Sequence, residues 1–182
     1  VGLVRFLFED FRAEQVVDLP LCCGALIVGA IDAARQLDEF PAEILVRKFD
    51  TYINQKNYAL DHCRHDWVLS LDADEVITPA LAEEIRSLRF DAAGYQLLRR
   101  TYLGDRQIRR GPWSRDYHVR LFPRSLGRWG GSNPHEHVVL NGPSRRLKNA
   151  MLHYSFRNRQ EFLDRNRKYT EMLADYLARQ GR

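Results

Sequence analysis

The chain has 182 residues, of which 45% are hydrophobic and 29% charged, with a formal net charge of +4. That length supports one domain with a sizeable core, and the ordinary balance of apolar and charged residues excludes a disordered or low-complexity chain. The longest apolar run, Leu19 to Ala30, is shorter than the roughly 20 residues of a bilayer span and lacks the basic start of a signal peptide, so no membrane span is predicted.

In chain order, residues 1 to 20 alternate poorly and carry Glu9, Asp10, Arg12 and Glu14 on a short predicted helix. "ALIV" at 25 to 28 reads as a strand, "IDAARQLDEF" as a helix begun near Asp32 and stopped before Pro41, and "AEILVRKF" as a second strand. "NQKNYALDHC" then has Tyr58, Leu60 and Cys63 at helical spacing, and "DWVLSL" resumes a buried strand. This alternation predicts an open, mostly parallel α/β sheet flanked by helices. Thr78 followed by Pro79 is a helix start, a capping oxygen and then proline at the first helical position. From Gly94 to Leu140 short β-branched and aromatic segments between glycines and prolines predict short antiparallel strands. The tail from Asn158 to Arg179 places Phe162, Tyr169, Leu173, Tyr176 and Leu177 among many charges, an amphipathic helix.

The positive charge is concentrated: nine arginines lie between Arg99 and Arg128 against Asp105 and Asp116. Such a surface suits phosphates, nucleic acid or anionic lipid. Cys22, Cys23 and Cys63 form no C-x-x-C pair and leave an odd count, which fits a reducing, intracellular compartment better than a disulfide framework.

The strand "DWVLSL" runs into Asp72, Asp74 and Glu75. In open parallel sheets ligands bind beyond the carboxyl ends of the strands. Two carboxylates one residue apart suit a hard divalent cation, Mg²⁺ or Mn²⁺, which in turn neutralises a diphosphate. The alternative is a solvated turn, with Glu75 serving as charge near the start of the next helix. His135, His137 and His153 have the wrong spacing for a helical H-E-x-x-H zinc site.

"QKNYALDHCRHDWVLSLDADE", "GPWSRDYHVRLFPR", "PHEH" and "LHYSF", in that order, resemble the family 2 glycosyltransferases of the GT-A fold, and among them the bacterial lipopolysaccharide core β-glucosyltransferases. The start departs from that pattern. "VGLVRFLFED" has no Asn-Glu turn after its strand, and "LIVGAID" keeps a turn similar to the family's "GSTD", including Asp32, without the preceding aspartate. The N-terminus therefore reads as atypical or truncated. The resemblance implies one glycosyltransferase domain over 1–182, with a partial nucleotide-sugar half at 1–76, an acceptor and catalytic half at 77–157, and the C-terminal helix at 158–182.

It also implies roles. Asp72, Lys56, Asp32 and Arg120 are donor-binding candidates; the guanidinium groups of Arg120 and Arg124 suit, by their own chemistry, donor diphosphate or acceptor phosphate. Asp74, Asp72 and His153 are the candidate ligands of Mg²⁺ or Mn²⁺. Inverting transfer needs a base for the acceptor hydroxyl; Glu136 is preferred and Asp116 is the alternative. Trp113 and Trp129 are either sugar platforms or core. The expected reaction moves a sugar, glucose by analogy, from a UDP-linked donor to a lipopolysaccharide-core or other envelope glycan. It is expected in the cytoplasm, with peripheral contact to the anionic inner face of the membrane and no nucleic acid partner. A catalytically impaired remnant, or a basic module binding RNA or anionic lipid, are the alternatives.

Overall fold

The computed structural model describes the backbone of residues 3–6, 23–28 and 42–44, and residues 47–72, 74–132, 135–179 and 181. The expected helix among Glu9 to Glu14, the helix begun near Asp32, and Asp32 itself lie outside the described residues.

Three strands, β1 (Leu3–Phe6), β2 (Cys23–Val28) and β3 (Ala42–Ile44), are joined in parallel, β1 pairing with both others. Helix α1 (Tyr52–His62) leads into β4 (Trp67–Asp72), which runs parallel to β2 with Val28 opposite Asp72. The two strands therefore finish level, and Asp72 stands at the carboxyl edge as the strand pattern predicts. After the short β5 (Glu75–Ile77) comes α2 (Pro79–Arg86). Its start is as the sequence anticipates: Thr78 Oγ1 accepts from the Leu81 N–H at 3.2 Å. The same hydroxyl donates to the Ala150 carbonyl at 2.9 Å, so the cap also ties the helix to the sheet.

The second half departs from the expected run of short antiparallel strands. It consists of β6 (Gly94–Leu103), β7 (Arg106–Gln107), a 3-10 turn (Gly111–Arg115), β8 (Tyr117–Pro123), β9 (Gly127–Ser132), β10 (His135–Leu140), β11 (Ser144–Phe156) and α3 (Arg159–Arg179). Among the described residues the main sheet runs β3-β1-β2-β4-β8-β6-β11-β5, with β7 on β6, while β9 and β10 form a separate hairpin. β8 enters antiparallel between β4 and β6, but β6 and β11 pair in parallel. The sheet is thus mixed rather than mostly parallel. The whole segment from β7 to β10 serves as the crossover that returns the chain to the same edge in the same direction.

The core follows the two faces of β4. Leu69 and Leu71 join Ile77, Leu81, Ile85 and Tyr95 on one face. Val68, of opposite parity, packs with Ala59, Leu60, Phe122, Trp129 and Val138 on the other. The second cluster fastens α1 to the hairpin. Asn57 adds a clamp there: its Nδ2 donates to the Trp129 carbonyl at 2.9 Å and its Oδ1 accepts from the Trp129 N–H at 3.0 Å. In α3 no residue is fully buried. Phe162, Leu173, Tyr176 and Leu177 are half-buried, while Tyr169 and Leu163 are 37% and 48% exposed.

Candidate active site

α1 buries Gln55, Lys56, Ala59 and Leu60. A lysine on the inward face of a helix needs a partner, since an isolated buried ammonium is costly. Lys56 has two: its Nζ lies 2.9 Å from Asp72 Oδ1 and 2.9 Å from Glu136 Oε1. It also sits over the Trp129 ring, 4.3 Å from the centroid.

From Asp72 the network continues through β8. Arg120 Nη2 donates to Asp72 Oδ2 at 2.7 Å and to Glu75 Oε1. Glu75 Oε2 accepts the Asp72 backbone N–H at 2.9 Å, and Arg99 Nη1 lies 3.5 Å from Glu75 Oε1. Arg99 Nε donates to Asp116 Oδ2 at 2.8 Å, and Asp116 Oδ1 lies 2.6 Å from His118 Nε2. One continuous path therefore alternates acid and base from Glu136 through Lys56, Asp72, Arg120, Glu75 and Arg99 to Asp116. Expected donor residues Lys56, Asp72 and Arg120 and both candidate bases lie on it.

The charges reinforce one another. Burial alone would raise the Asp72 pKa, but Arg120 and Lys56 outweigh it and hold the carboxyl well below its ordinary range. Asp116 behaves likewise: burial opposes ionisation, yet His118 and Arg99 bring it down to about 2. Burial would lower the Arg120 pKa, but Asp72 and Glu75 push it up.

Asp74 forms a second arrangement. β11 lies between β5 and β6, with His153 in register with Glu75 on one side and Thr101 on the other. That topology places His153 Nε2 3.3 Å from Asp74 Oδ2, while its Nδ1 sits 3.2 Å from Thr101 Oγ1. Arg165 Nη1 of α3 stands 3.8 Å from the same Asp74 oxygen. Burial works against ionisation of Asp74, but His153 and Arg165 together leave its pKa lowered.

For a divalent cation this geometry is specific about donors. Among the described residues no three His, Cys, Asp or Glu side chains converge on one point. Each Asp72 oxygen faces a cationic side chain. Asp74 and His153 face each other and fit two positions of a coordination shell, a hard oxygen and an imidazole, leaving the others to phosphate and water.

Other expectations land elsewhere. Arg124 is committed to the carboxyl end of α1, its Nη1 donating to the carbonyls of Leu60, Asp61 and Cys63. Glu75 is no helix-start charge but a closed link in the network, with its side chain fully buried. Trp129 is buried under Lys56, and Trp113 meets Phe162 of α3 with ring centroids 6.5 Å apart. Arg99, His118 and Arg165 carried no signal in the sequence beyond their charge. Tyr52 is likewise new: burial, with Tyr169 and Glu136 nearby, pushes its pKa up to about 12.

Comparison with known proteins identifies a family. The model of the glycosyl transferase family 2 domain matches residues 28–147, from the end of β2 into β11. The chain is 27% identical to the lipopolysaccharide core biosynthesis glycosyltransferase LpsC of Rhizobium meliloti, over 96% of this chain and 69% of that protein. It is 28% identical to uncharacterized glycosyltransferases of Rickettsia typhi and Rickettsia prowazekii, over 78% of this chain and 53% of each. The chain thus spans about half the length of the rickettsial relatives. With the α/β sheet and an acid cluster at the end of β4, the matched segment settles the affiliation: the chain belongs to glycosyl transferase family 2.

Proposed function

We propose that the protein is a metal-dependent, inverting glycosyltransferase that moves a sugar, glucose in our reading, from a UDP-linked donor to a lipopolysaccharide-core or other cell-envelope glycan. The observation that carries the proposal is Glu136. Lys56 holds Oε1 at 2.9 Å, while Oε2 is buried and has no hydrogen-bond partner among the described residues. Half of this carboxylate is positioned and the other half keeps its lone pairs, the arrangement a general base needs before its substrate arrives.

In the proposed reaction the acceptor hydroxyl gives its proton to Glu136 Oε2 as its oxygen attacks the anomeric carbon. The new C–O bond forms on the face opposite the leaving diphosphate. The bond to the phosphate oxygen breaks, and that oxygen keeps the electron pair. Lys56 and Arg120, oriented by Asp72, set the positive field on the donor side. Asp74 and His153 are the side chains that would hold Mg²⁺ or Mn²⁺, with Asp72 beside them; when bound, the ion supplies Lewis-acid stabilisation of the leaving group. Asp116, fixed between Arg99 and His118, is assigned to supporting Glu75 and Arg99 rather than to proton transfer.

Glu136→Gln tests this. Turnover should fall by about 10²-fold or more with donor binding nearly unchanged. Normal turnover of that variant, together with loss in Asp116→Asn, would move the base to Asp116. The engagement of both Asp72 oxygens favours one second reading, an impaired enzyme, which predicts no binding of a nucleoside diphosphate with Mn²⁺.

We place the protein at the inner face of the cytoplasmic membrane. Arg106, Arg109, Arg110 and Arg115 are all exposed along one stretch next to Asp116, and among the described residues no helix is long and apolar enough to cross a membrane. Contact would be peripheral and electrostatic.

A further inference from the structure

The family match ends at residue 147, so it assigns nothing to α3. Yet α3 brings a cation to Asp74, and that cation is held in place from several directions. Arg165 Nη2 donates to Glu161 Oε1 at 2.8 Å, one turn earlier. Glu161 is itself fixed by the helix start: its Oε2 accepts the Arg157 N–H at 2.7 Å, and its own N–H donates to Asn158 Oδ1 at 2.9 Å. The Arg165 guanidinium lies 5.5 Å from the Phe156 ring centroid. Phe162 anchors the same turn between Phe156 and Trp113, with centroids 5.0 and 6.5 Å away.

This ordering has little to gain from Asp74 alone. The Arg165 to Asp74 separation is 3.8 Å, and the two side chains are 33% and 28% exposed. A long, wet ion pair of that kind contributes little to stability. What the arrangement does provide is a guanidinium with Nη2 pinned on Glu161 and Nη1 left 3.8 Å from the Asp74 carboxylate. Such a fork matches two phosphate oxygens. Tyr169, one turn further on, lies on the same face of the helix, and burial together with the charges of Asp74, Glu136 and Asp72 raises its pKa against the opposing pull of Arg165.

We propose that Arg165 is a diphosphate-binding residue of the donor site, supplied by a helix outside the matched family segment, and that it contacts the phosphates of a nucleoside diphosphate lying over Asp74. The inference rests on the donor reading given above.

The test is titration calorimetry of the full chain with UDP and Mn²⁺, with GDP and ADP as further probes, and ligand-observed NMR with uridine. Arg165→Ala should weaken UDP binding by about 10-fold or more, the scale for losing a hydrogen bond to a charged group, while uridine binding shifts less than about 2-fold. Arg165→Lys should recover part of the loss. Arg165→Gln, which keeps the length of the side chain, serves if the alanine variant does not fold. Failure of the wild type to bind any of the three diphosphates would remove the donor reading and this inference with it. Wild-type binding with an unchanged Arg165→Ala affinity would overturn this inference alone. Equal loss for UDP and uridine would also overturn it, since it would make Arg165 a support for helix docking.

Discussion

The guanidinium of Arg120 is bonded to the carboxylate of Glu75 with both side chains closed to solvent, 3% and 0% exposed. Removing Arg120 leaves the buried Glu75 with only the 3.5 Å contact to Arg99 and the Asp72 N–H to offset its charge. Arg120→Ala should therefore cost about 3–5 kcal/mol in urea unfolding. The double change Arg120→Met with Glu75→Leu should cost clearly less than Arg120→Ala, since it removes both charges at once. A double variant no more stable than Arg120→Ala would show that the network matters through shape and not through charge.

Asp116 gives the fold an acid-sensitive component. Its folded pKa is depressed to about 2, from burial opposed by His118 and Arg99. A depressed carboxyl stabilises the fold above its unfolded value, about 3.9, and that contribution disappears as pH falls from about 4 toward 2. Wild type should exceed Asp116→Asn by on the order of 2 kcal/mol above pH 5, with the gap shrinking below pH 4. Denaturant midpoints measured from pH 6 to pH 2 check this, and a gap independent of pH would refute it.

Asp74 and His153 should govern cation-linked donor binding. UDP should bind with Mn²⁺ and lose affinity when a chelator is added. Asp74→Asn should weaken the Mn²⁺-dependent part by about 10-fold or more, the scale of a lost contact to a charged group. His153→Ala should act in the same direction. Equal UDP affinity with and without chelator would place the donor on the basic side chains Lys56, Arg120 and Arg165 without a cation.

The exposed arginines should make membrane contact depend on salt. Sedimentation with anionic vesicles is expected in low salt, with release in high salt and no binding to neutral vesicles. Reversing Arg109 and Arg110 to glutamate removes charges worth on the order of 1 kcal/mol each near such a surface, so co-sedimentation should drop sharply. Binding to neutral vesicles in high salt would implicate apolar residues of α3 instead.

What the sequence disclosed is what local chemistry determines. Thr78 and Pro79 announce the start of α2 because a cap and a proline act on their own helix. Asp72 is legible at a strand end because Trp67 to Leu71 is an apolar run that stops there. Glu75 was not legible as a buried link, since its partners Arg120 and Arg99 arrive on two other strands. The parallel pairing of β6 with β11 was hidden for the same reason: nothing in Gly94 to Leu103 tells which edge a strand forty residues later will choose. The family motif marks Lys56 as a donor contact, while its bridge between Asp72 and Glu136 depends on a hairpin far along the chain. Arg165 has the look of any solvated helix arginine until α3 is laid beside Asp74.

The Asn57 clamp on Trp129 has a consequence for how the network can be mapped. An uncharged amide, next in sequence to Lys56, satisfies both backbone hydrogen-bonding groups of Trp129 in β9, and β9 carries Gly131 directly across from Glu136 in β10. The spacing between the ammonium and the carboxylate is thus gauged by a residue that bears no charge and never titrates. A survey confined to ionisable side chains would find every terminal of this circuit and miss the bracket that keeps two of them at working distance.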